Sequence, residues 1–351
     1  MNEPRPIAVR PYRSGDEFAL VELFQTAFGR RISVAHWNWK LKGQPSAVEN
    51  VWLAASDERP VFQYAGIPMR LTLAGAPATA MVSVDTMTAP DFRRRGLLTQ
   101  VARQVYAAWG AGGIAFVIGL PNEQWGSRAA ALGWQRLFPL QWLVRPLRPE
   151  AMLAHRLRMP ILGRAGLAGT LWNRYLSDRV RPDPGVRTER VRQAHAGFDE
   201  LWERCAGDAT FSTVRDRKWV DWRFLASPSR RYEVTIAHRT GRPAGYSAHS
   251  LLTNGDRTTA HLAELFVAKG DDASRDTLLH ELLRELLAGS AEYLITLAVP
   301  GTPNFRWLRK AGFLAGPAFS VQFVPLAAHL PLESMRDPAN WCLSGADFDV
   351  I

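Results

Sequence analysis

The sequence predicts an α+β protein that contains two similar domains in tandem. Its 351 residues exceed what one ordinary hydrophobic core holds. The composition, 47% hydrophobic and 22% charged, is typical of a soluble globular protein. In each half, alternating strand-like segments are followed by a helix, a short apolar strand and a second helix. This order predicts a mixed, mostly antiparallel sheet flanked by helices in each domain.

An internal repeat supports the two-domain organisation. Trp39 and Trp222 are 183 positions apart, and neighbouring pairs keep that spacing through the first strands. Further along, Asp85 aligns with Glu264 at 179 positions, and Gly133 aligns with Gly312 at the same spacing. Two constant spacings across the length of a domain indicate a duplication.

Each element of the first copy follows from its local pattern. A turn at Ser14-Gly15 precedes an apolar-periodic segment, which predicts a helix. Alternation predicts the strands before and after it, and glycine and proline mark the turns between them. The predicted order is strand IAVRPY, helix FALVELFQTAF, strands VWLAAS, FQYAGIPMRLTL and TAMVSVDTM, helix LLTQVARQVYAAWG, strand IAFVIGL and a last helix.

The positive charge is concentrated between the two copies. Residues 145–192 hold eleven arginines and four acidic residues, so they carry +7 of the net charge of +10. A basic connector of this kind argues against a nucleic-acid partner, which favours a basic stripe across a domain. A membrane-surface role is an alternative for the connector, but a helix packed on the protein is favoured. The predicted domains are 1–144, a partly helical connector 145–187, 188–326, and a tail 327–351.

The cellular setting is inferred from what the sequence lacks. The polar N-terminus has no signal-peptide core, and no apolar stretch is long enough to span a bilayer. Cys205 and Cys342 are distant in sequence, and the histidines show no metal-ligand spacing. We therefore expect a reduced, cytoplasmic protein without a metal site.

One turn in the first copy predicts an anion site. The strand SVDTM ends near Thr88, and Arg93-Arg94-Arg95-Gly96 leads into a helix that begins near Leu97. A helix N-terminus presents free N–H groups and a positive dipole, and glycine permits close approach of a phosphate. A solvated arginine run at a turn is the alternative interpretation.

The surrounding motifs resemble the GNAT acyltransferase superfamily. The order of Thr-Ala-Pro, Asp-Phe-Arg-Arg-Arg-Gly-Leu-Leu, a helix, a strand, Pro-Asn and Leu-Gly-Trp over residues 81–134 is similar to its acetyl-CoA core. Leu98 departs from the small residue that ends the family motif. The form Arg-Arg-Arg-Gly-x-Leu resembles the enhanced-intracellular-survival branch. Trp39-Lys40, the segment SVDTMTAPDF and the closing tail resemble tandem-GNAT proteins associated with polysaccharide biosynthesis.

The resemblance implies acetyl-CoA, or another acyl-CoA, as co-substrate in the first domain alone. It implies a V-shaped splay between the motif strand and the next strand, with the pantetheine arm in the splay. The implied contacts are Thr86, Met87, Thr88, Arg93, Arg94, Arg95, Gly96, Leu97, Leu98, Thr99 and Asn122. In the second copy the turn reads Asp272-Ala273-Ser274-Arg275, and its carboxylates are expected to repel a pyrophosphate.

The proton-handling residues are less defined. Asp85 is a candidate base on the motif strand, although Glu264 matches it in the second copy, which favours a shared structural role. Glu123 and the C-terminal carboxylate of Ile351 are the other candidates. The family places a tyrosine acid at a position that is Ala129 here, so the acid is unassigned.

Three functions are consistent with these patterns. The first is N-acyl transfer, most simply N-acetyl transfer, from acyl-CoA to a primary amine of a small molecule such as an amino sugar. The second is aminoacyl transfer from a charged tRNA, which would use the basic connector and would not need the arginine turn. The third is a non-catalytic acyl-CoA-binding protein. Oligomeric state and acceptor identity are left open.

Overall fold

The computed structural model describes residues 6–121, 125–150, 167–177 and 179–348. Contacts divide the chain into two compact units. The first unit comprises Met1–Phe138, Ala226–Ser229 and Ser320–Asp337, and the second comprises the remaining stretches. The units interleave along the chain, a feature that the contiguous domain ranges predicted above do not include.

The first unit is a mixed sheet with helices. In chain order its elements are β1 (Ile7–Pro11), α1 (Asp16–Phe28), α2 (Val34–Leu41), β2 (Val51–Ser56), β3 (Arg59–Leu73), β4 (Ala76–Thr88), α3 (Leu97–Ala111), β5 (Ile114–Gly119), α4 (Gly126–Ala131) and the start of β6 (Gln135–Pro146). Strands β1 to β4 are antiparallel neighbours, β5 is parallel to β4, and the C-terminal half of β13 (Leu314–Pro325) pairs antiparallel with β5. This arrangement confirms the predicted fold class.

The second unit repeats this order. Its elements are α5 (Leu167–Ser177), β7 (Val186–Val191), α6 (Gly197–Cys205), β8 (Phe211–Thr213), α7 (Arg217–Val220), β9 (Tyr232–Arg239), β10 (Arg242–Asn254), β11 (Arg257–Val267), α8 (Asp272–Ala288), β12 (Tyr293–Ala298), α9 (Pro303–Lys310) and the start of β13. In the C-terminal part of the chain, α10 (Leu332–Arg336) belongs to the first unit, and β14 (Trp341–Cys342) pairs with β8 in the second. Helix α5 lies within the predicted basic connector.

The final strand of each repeat completes the sheet of the other unit. Strand β6 pairs with β12, and β13 pairs with β5. β5 begins at Ile114 and β12 at Tyr293, and β6 begins at Gln135 and β13 at Leu314. Both pairs of starting points are 179 positions apart, the spacing found in the sequence. The repeat therefore determines the order and spacing of the elements. The exchange determines which unit contains the last strand of each repeat.

The core of the first unit forms between α3 and the sheet. Leu97, Val101 and Val105 recur every four residues on one face of α3, and all three are buried. Their cluster includes Tyr64 of β3 and Met81 of β4. The packing holds the first turn of α3 against the strand that precedes it. Among the described helices, none combines the length and apolarity that crossing a bilayer requires.

A buried charge cluster organises the second unit. The Arg215 guanidinium contacts Glu264 of β11 at 3.0 Å and Asp347 of the C-terminal segment at 2.7 Å. All three side chains are almost inaccessible. Two carboxylates share one cation, so desolvation and mutual repulsion disfavour ionisation of both. The last described residues are thereby part of the core of this unit.

The Glu264 carboxyl gives stability a pH dependence with a defined sign. Desolvation raises its pKa from 4.5 to about 7, opposed by Arg215 and supported by Asp347. The folded chain keeps a proton that the unfolded chain releases, so this contribution to stability is complete below about pH 4.5. It is lost as the pH rises through about 7.

We therefore expect urea unfolding to show that wild type loses stability relative to Glu264→Gln between pH 5 and pH 8. The glutamine variant retains hydrogen bonding but cannot ionise. A difference between the two proteins that is the same at both pH values would contradict this assignment.

Candidate acyl-CoA site

The motif strand β4 separates from β5 before it ends. The parallel pairing runs through Met81–Val117 and Val82–Ile118. Beyond that point β4 continues to Thr88 while still pairing with β3. Residues 83–88 therefore form a free strand edge that faces the space beside β5. No described residue of β5 pairs with this edge. This is the predicted V-shaped splay, and Thr86, Met87 and Thr88 lie along it.

A bulge anchored by an ion pair shapes this end of β4. The register with β3 shifts at Asp85, whose φ of 46° is in the left-handed region. Its carboxylate lies 2.7 Å from Nζ of Lys40 on α2, and both side chains are buried. Gln63 donates to the Asp85 backbone carbonyl at 3.0 Å, and Trp37 donates to Gln63. The carboxylate is already engaged by an ammonium, so the geometry favours a structural role for Asp85 over the predicted role of base.

The arginine turn leads into an uncapped helix. A single 3₁₀ turn covers Pro90–Phe92, and then Arg94 and Gly96 adopt left-handed backbone with φ of 62° and 78°. Gly96 is the N-cap of α3, and no described side chain accepts from the first N–H groups of that helix. These donors therefore remain available to an external anion.

Three arginines directly precede this terminus in the chain. Arg93, Arg94 and Arg95 are exposed. Nε of Arg93 donates to the Thr88 carbonyl at 3.4 Å, and the Arg95 guanidinium lies 4.7 Å from the ring centre of Phe92. Leu97 points into the core, so only its backbone faces the terminus, whereas Leu98 and Thr99 are half-buried. Free N–H groups, exposed guanidinium groups and glycine together fit a pyrophosphate.

The equivalent terminus in the second unit is closed by its own side chain. Asp271 caps α8, accepting from the backbone N–H of Ser274 at 3.1 Å and from its hydroxyl at 2.7 Å. Arg239 also contacts the Asp271 carboxylate, at 3.1 Å. The anion position of the first unit is thus filled here by a carboxylate of the chain. The geometry gives a physical reason for the predicted absence of a CoA site in this copy.

The predicted acid position is replaced by a cluster of hydroxyl groups. Ala129 packs in the same buried cluster as Tyr64, Tyr106 and Trp134. The two tyrosine hydroxyls lie 2.8 Å apart, Trp134 donates to Tyr106 at 2.9 Å, and Ser83 donates to Tyr64 at 3.3 Å. The sequence does not predict this cluster, because its members are spread over β3, β4, α3 and the residue that precedes β6.

This cluster is suited to hydrogen bonding more than to proton release. Three hydroxyl groups and one indole N–H make three contacts, so one hydrogen has no acceptor within the cluster. Desolvation raises the pKa of Tyr106 to about 12. Ser83 is the first residue of β4 beyond the last pair with β5 and is only partly buried. The Ser83 hydroxyl borders the splay and can turn from Tyr64 to donate to a ligand there, while the two tyrosines keep their protons.

Comparison with known proteins agrees with this geometry. A family model described as an acetyltransferase (GNAT) domain matches residues 8–135. Residues 8–135 form a GNAT domain. The match spans the splay, the bulge and the arginine turn. A search of curated protein sequences finds no significant match.

Solved structures extend the likeness to almost the whole chain. A GCN5-related N-acetyltransferase from Anabaena variabilis is 11% identical with a TM-score of 0.67, over 92% of this chain and 73% of that one. A tandem GNAT protein from the clavulanic acid biosynthesis pathway is 17% identical with a TM-score of 0.60, over 92% and 100%. A GCN5-related N-acetyltransferase from Kribbella flavida is 12% identical with a TM-score of 0.62, over 91% and 71%. At these identities the likeness shows the fold, here that of two tandem GNAT-like domains.

Several predicted site residues lie outside the described part of the chain. Asn122, Glu123 and Ile351 are in this group. Their assignments as cofactor contact, base and C-terminal carboxylate stay predictions. In the GNAT domain the splay strand and the arginine turn come together at the end of β4, as their separation of a few residues requires.

The Lys40–Asp85 pair has a measurable energetic consequence. Lys40→Met leaves a buried carboxylate without its cation, which we expect to cost about 3–5 kcal/mol of unfolding free energy. Adding Asp85→Asn removes the charge and keeps a residue that tolerates left-handed backbone, so the double variant should recover most of that loss.

Lys42→Met is the matched control for this cycle. Lys42 is on the same segment, and its ion pair with Glu49 is partly exposed. It should cost about 1 kcal/mol or less in urea unfolding. A loss for Lys40→Met no larger than that of the control would show that the buried pair is not an anchor.

Proposed function

We propose that the chain is an N-acyltransferase that binds acyl-CoA in the first unit and acylates a primary amine of a small molecule. The observation that carries the proposal is the uncapped, arginine-flanked N-terminus of α3 beside the splayed end of β4. A family match to an acetyltransferase domain over the same residues supports it.

The residues around the splay have distinct tasks in this proposal. The first N–H groups of α3 and the arginines from Arg93 to Arg95 hold the phosphates. The free edge of β4 around Met87 and Thr88 orients the thioester arm with backbone hydrogen bonds. Acyl-CoA supplies an activated thioester, so the main contribution of the protein is to place an amine beside it.

Hydrogen bonding completes the proposed site. The Ser83 hydroxyl turns from Tyr64 and donates toward the sulfur as negative charge develops there. Tyr106 keeps its proton, because burial holds its pKa at about 12. The amine nitrogen forms the amide bond as the thioester C–S bond breaks, and it releases one proton to solvent. The thiolate departs as a stabilised anion and takes one proton from solvent.

The acceptor class rests on the resemblance to tandem proteins of polysaccharide biosynthesis. Within primary amines, amino sugars are the first class to test, followed by antibiotic and peptide amines. Transfer from a charged tRNA and acyl-CoA binding without catalysis are the competing functions, and both are separated from the main proposal by the experiment below.

Thermal unfolding with acetyl-CoA tests the cofactor assignment. A ligand at a hundredfold excess over its Kd stabilises the folded state by about 2.7 kcal/mol. We expect acetyl-CoA and CoA to raise the Tm of wild type. Arg94→Glu, which reverses charge at the turn, and Gly96→Asp, which puts a carboxylate at the anion position, should abolish the shift.

Arg103→Glu is the matched control, because Arg103 is an exposed arginine on the same helix beyond its first turn. It should retain the shift. No shift of wild type with any CoA compound would contradict the proposal and favour the tRNA-dependent function. Acyl transfer to a panel of amines is measured by the release of the CoA thiol. A Tm shift without such transfer would favour binding alone.

A further inference from the structure

Three strands of the second unit place polar side chains in one row across the sheet. Ser250 of β10 pairs with Tyr232 of β9 on one side and with His261 of β11 on the other. Directly paired residues of antiparallel strands point to the same face of a sheet. Leu262, the next residue of β11, packs in the cluster formed with α8. The row therefore lies on the face that points away from α8.

Two side chains of this row have unsatisfied polar atoms. No described residue makes a hydrogen bond to Oγ of Ser250 or to Nδ1 of His261. Ser250 is 1% exposed and His261 is 8% exposed. A hydroxyl can donate a hydrogen bond, and a neutral imidazole can carry its hydrogen on Nδ1. A buried donor without an acceptor is costly, so two such donors on one face call for an acceptor from outside.

Arg230, which precedes β9, brings an unpaired positive charge to the row. Its guanidinium forms no ion pair with any described residue, and Nη1 is buried without a hydrogen-bond partner. Burial and the Arg230 cation lower the pKa of His261 to about 4, and no described carboxylate opposes them. His261 is therefore neutral at neutral pH, and Arg230 supplies the charge of the row.

The acidic residues nearest in the chain are already engaged. Glu233 of β9 contacts Arg231 at 3.3 Å and Arg190 at 3.4 Å. On β11, Glu264 is held by Arg215. These carboxylates therefore leave the Arg230 guanidinium available to an external anion.

An apolar surface adjoins the polar row on the same face. Ile295 of β12 is paired with His261, and Val144 of β6 is paired with Ile295. Two residues before Val144, Trp142 has its ring centre 6.5 Å from that of His261. Ile295, Val144 and Trp142 are each half-buried, so this surface reaches solvent.

We propose that this face of the second unit binds a small organic carboxylate. The Arg230 guanidinium pairs with the carboxylate, and Ser250 and His261 donate hydrogen bonds to it. The organic part packs on Trp142 and Ile295. Because Arg230 is only half-buried, a change of its rotamer opens the position.

The charge of the row favours a carboxylate over a phosphate. One guanidinium neutralises one negative charge, and the other two donors are neutral. A dianion would keep an uncompensated charge among buried groups. The proposal does not depend on acyl transfer, because every residue that carries it belongs to the second unit.

Calorimetric titration with three ring-matched probes tests the proposal. The probes are benzoate, benzamide and phenylphosphonate, which are a monoanion, neutral and mostly a dianion in mildly alkaline solution. The full chain with Arg94→Glu is used, so that the arginine turn of the first unit is disabled. We expect benzoate to bind at least about tenfold more tightly than either of the other probes.

Variants of adjacent arginines identify the site. Arg230→Gln should weaken benzoate by about tenfold or more and leave benzamide unchanged. Arg231→Gln is the matched control, because it removes the same charge from the next residue, whose side chain is exposed. It should retain benzoate binding. Ser250→Ala should weaken benzoate without lowering the Tm, because its hydroxyl has no partner to lose.

The titration of His261, followed by NMR, reports on the same position. A bound carboxylate favours the protonated imidazole, so saturating benzoate should raise the pKa of His261 from about 4, and benzamide should not. The His261→Gln spectrum assigns the signal. Arg230→Gln should also raise this pKa, because the cation that lowers it is gone.

Three results would overturn the proposal. They are equal affinity for benzoate and benzamide, benzoate binding that Arg230→Gln and Arg231→Gln affect equally, and benzoate binding that leaves the His261 titration unchanged. Tighter binding of phenylphosphonate than of benzoate would also contradict it. The acetyl-CoA shift of the wild-type chain concerns the first unit, so the two proposals fail separately.

Discussion

The buried ion pair between Lys40 and Asp85 fixes the end of β4, and the geometry of the first unit depends on that end. Asp85 stands at a bulge in left-handed backbone, where the strand changes register against β3. The bulge follows the point at which β4 leaves β5, so it shapes the edge that faces the splay. The second unit places Glu264 at the matching position and pairs it with Arg215. An acid held by a buried cation in both copies is best understood as part of the architecture. The proposed chemistry then rests on backbone groups, arginines and hydroxyls.

The two units differ in a few residues at the equivalent helix terminus, and these residues give the two termini opposite charge. Gly96 leaves the first N–H groups of α3 without a capping side chain. The three residues before it are exposed arginines. Asp271 satisfies the equivalent groups of α8 with its own carboxylate. The first arrangement leaves N–H donors available to an external anion. It lowers helix stability, because an N-cap side chain contributes about 1 kcal/mol. The second arrangement recovers that stability and excludes the anion.

The sequence predicted what depends on local pattern and failed where distant residues meet. Strand β2, helix α3 and strand β5 follow from alternation and helical periodicity, and the repeat spacing of 179 reproduces the starts of β12 and β13. The arginine turn was recognisable because its residues are consecutive. The exchange of β6 and β13 was not, since alternation does not specify a partner strand. The partners of Asp85 and Asp347 were equally hidden, because each contact joins residues far apart in the chain, as with Arg215 and Asp347 at 132 positions.

We propose that the chain has one CoA site, at the uncapped terminus of α3. Calorimetric titration of the full chain with CoA measures the binding stoichiometry and so tests this proposal. One CoA per wild-type chain and none per Gly96→Asp chain is the predicted result. Two CoA molecules per wild-type chain, or one that remains after Gly96→Asp, would contradict the account.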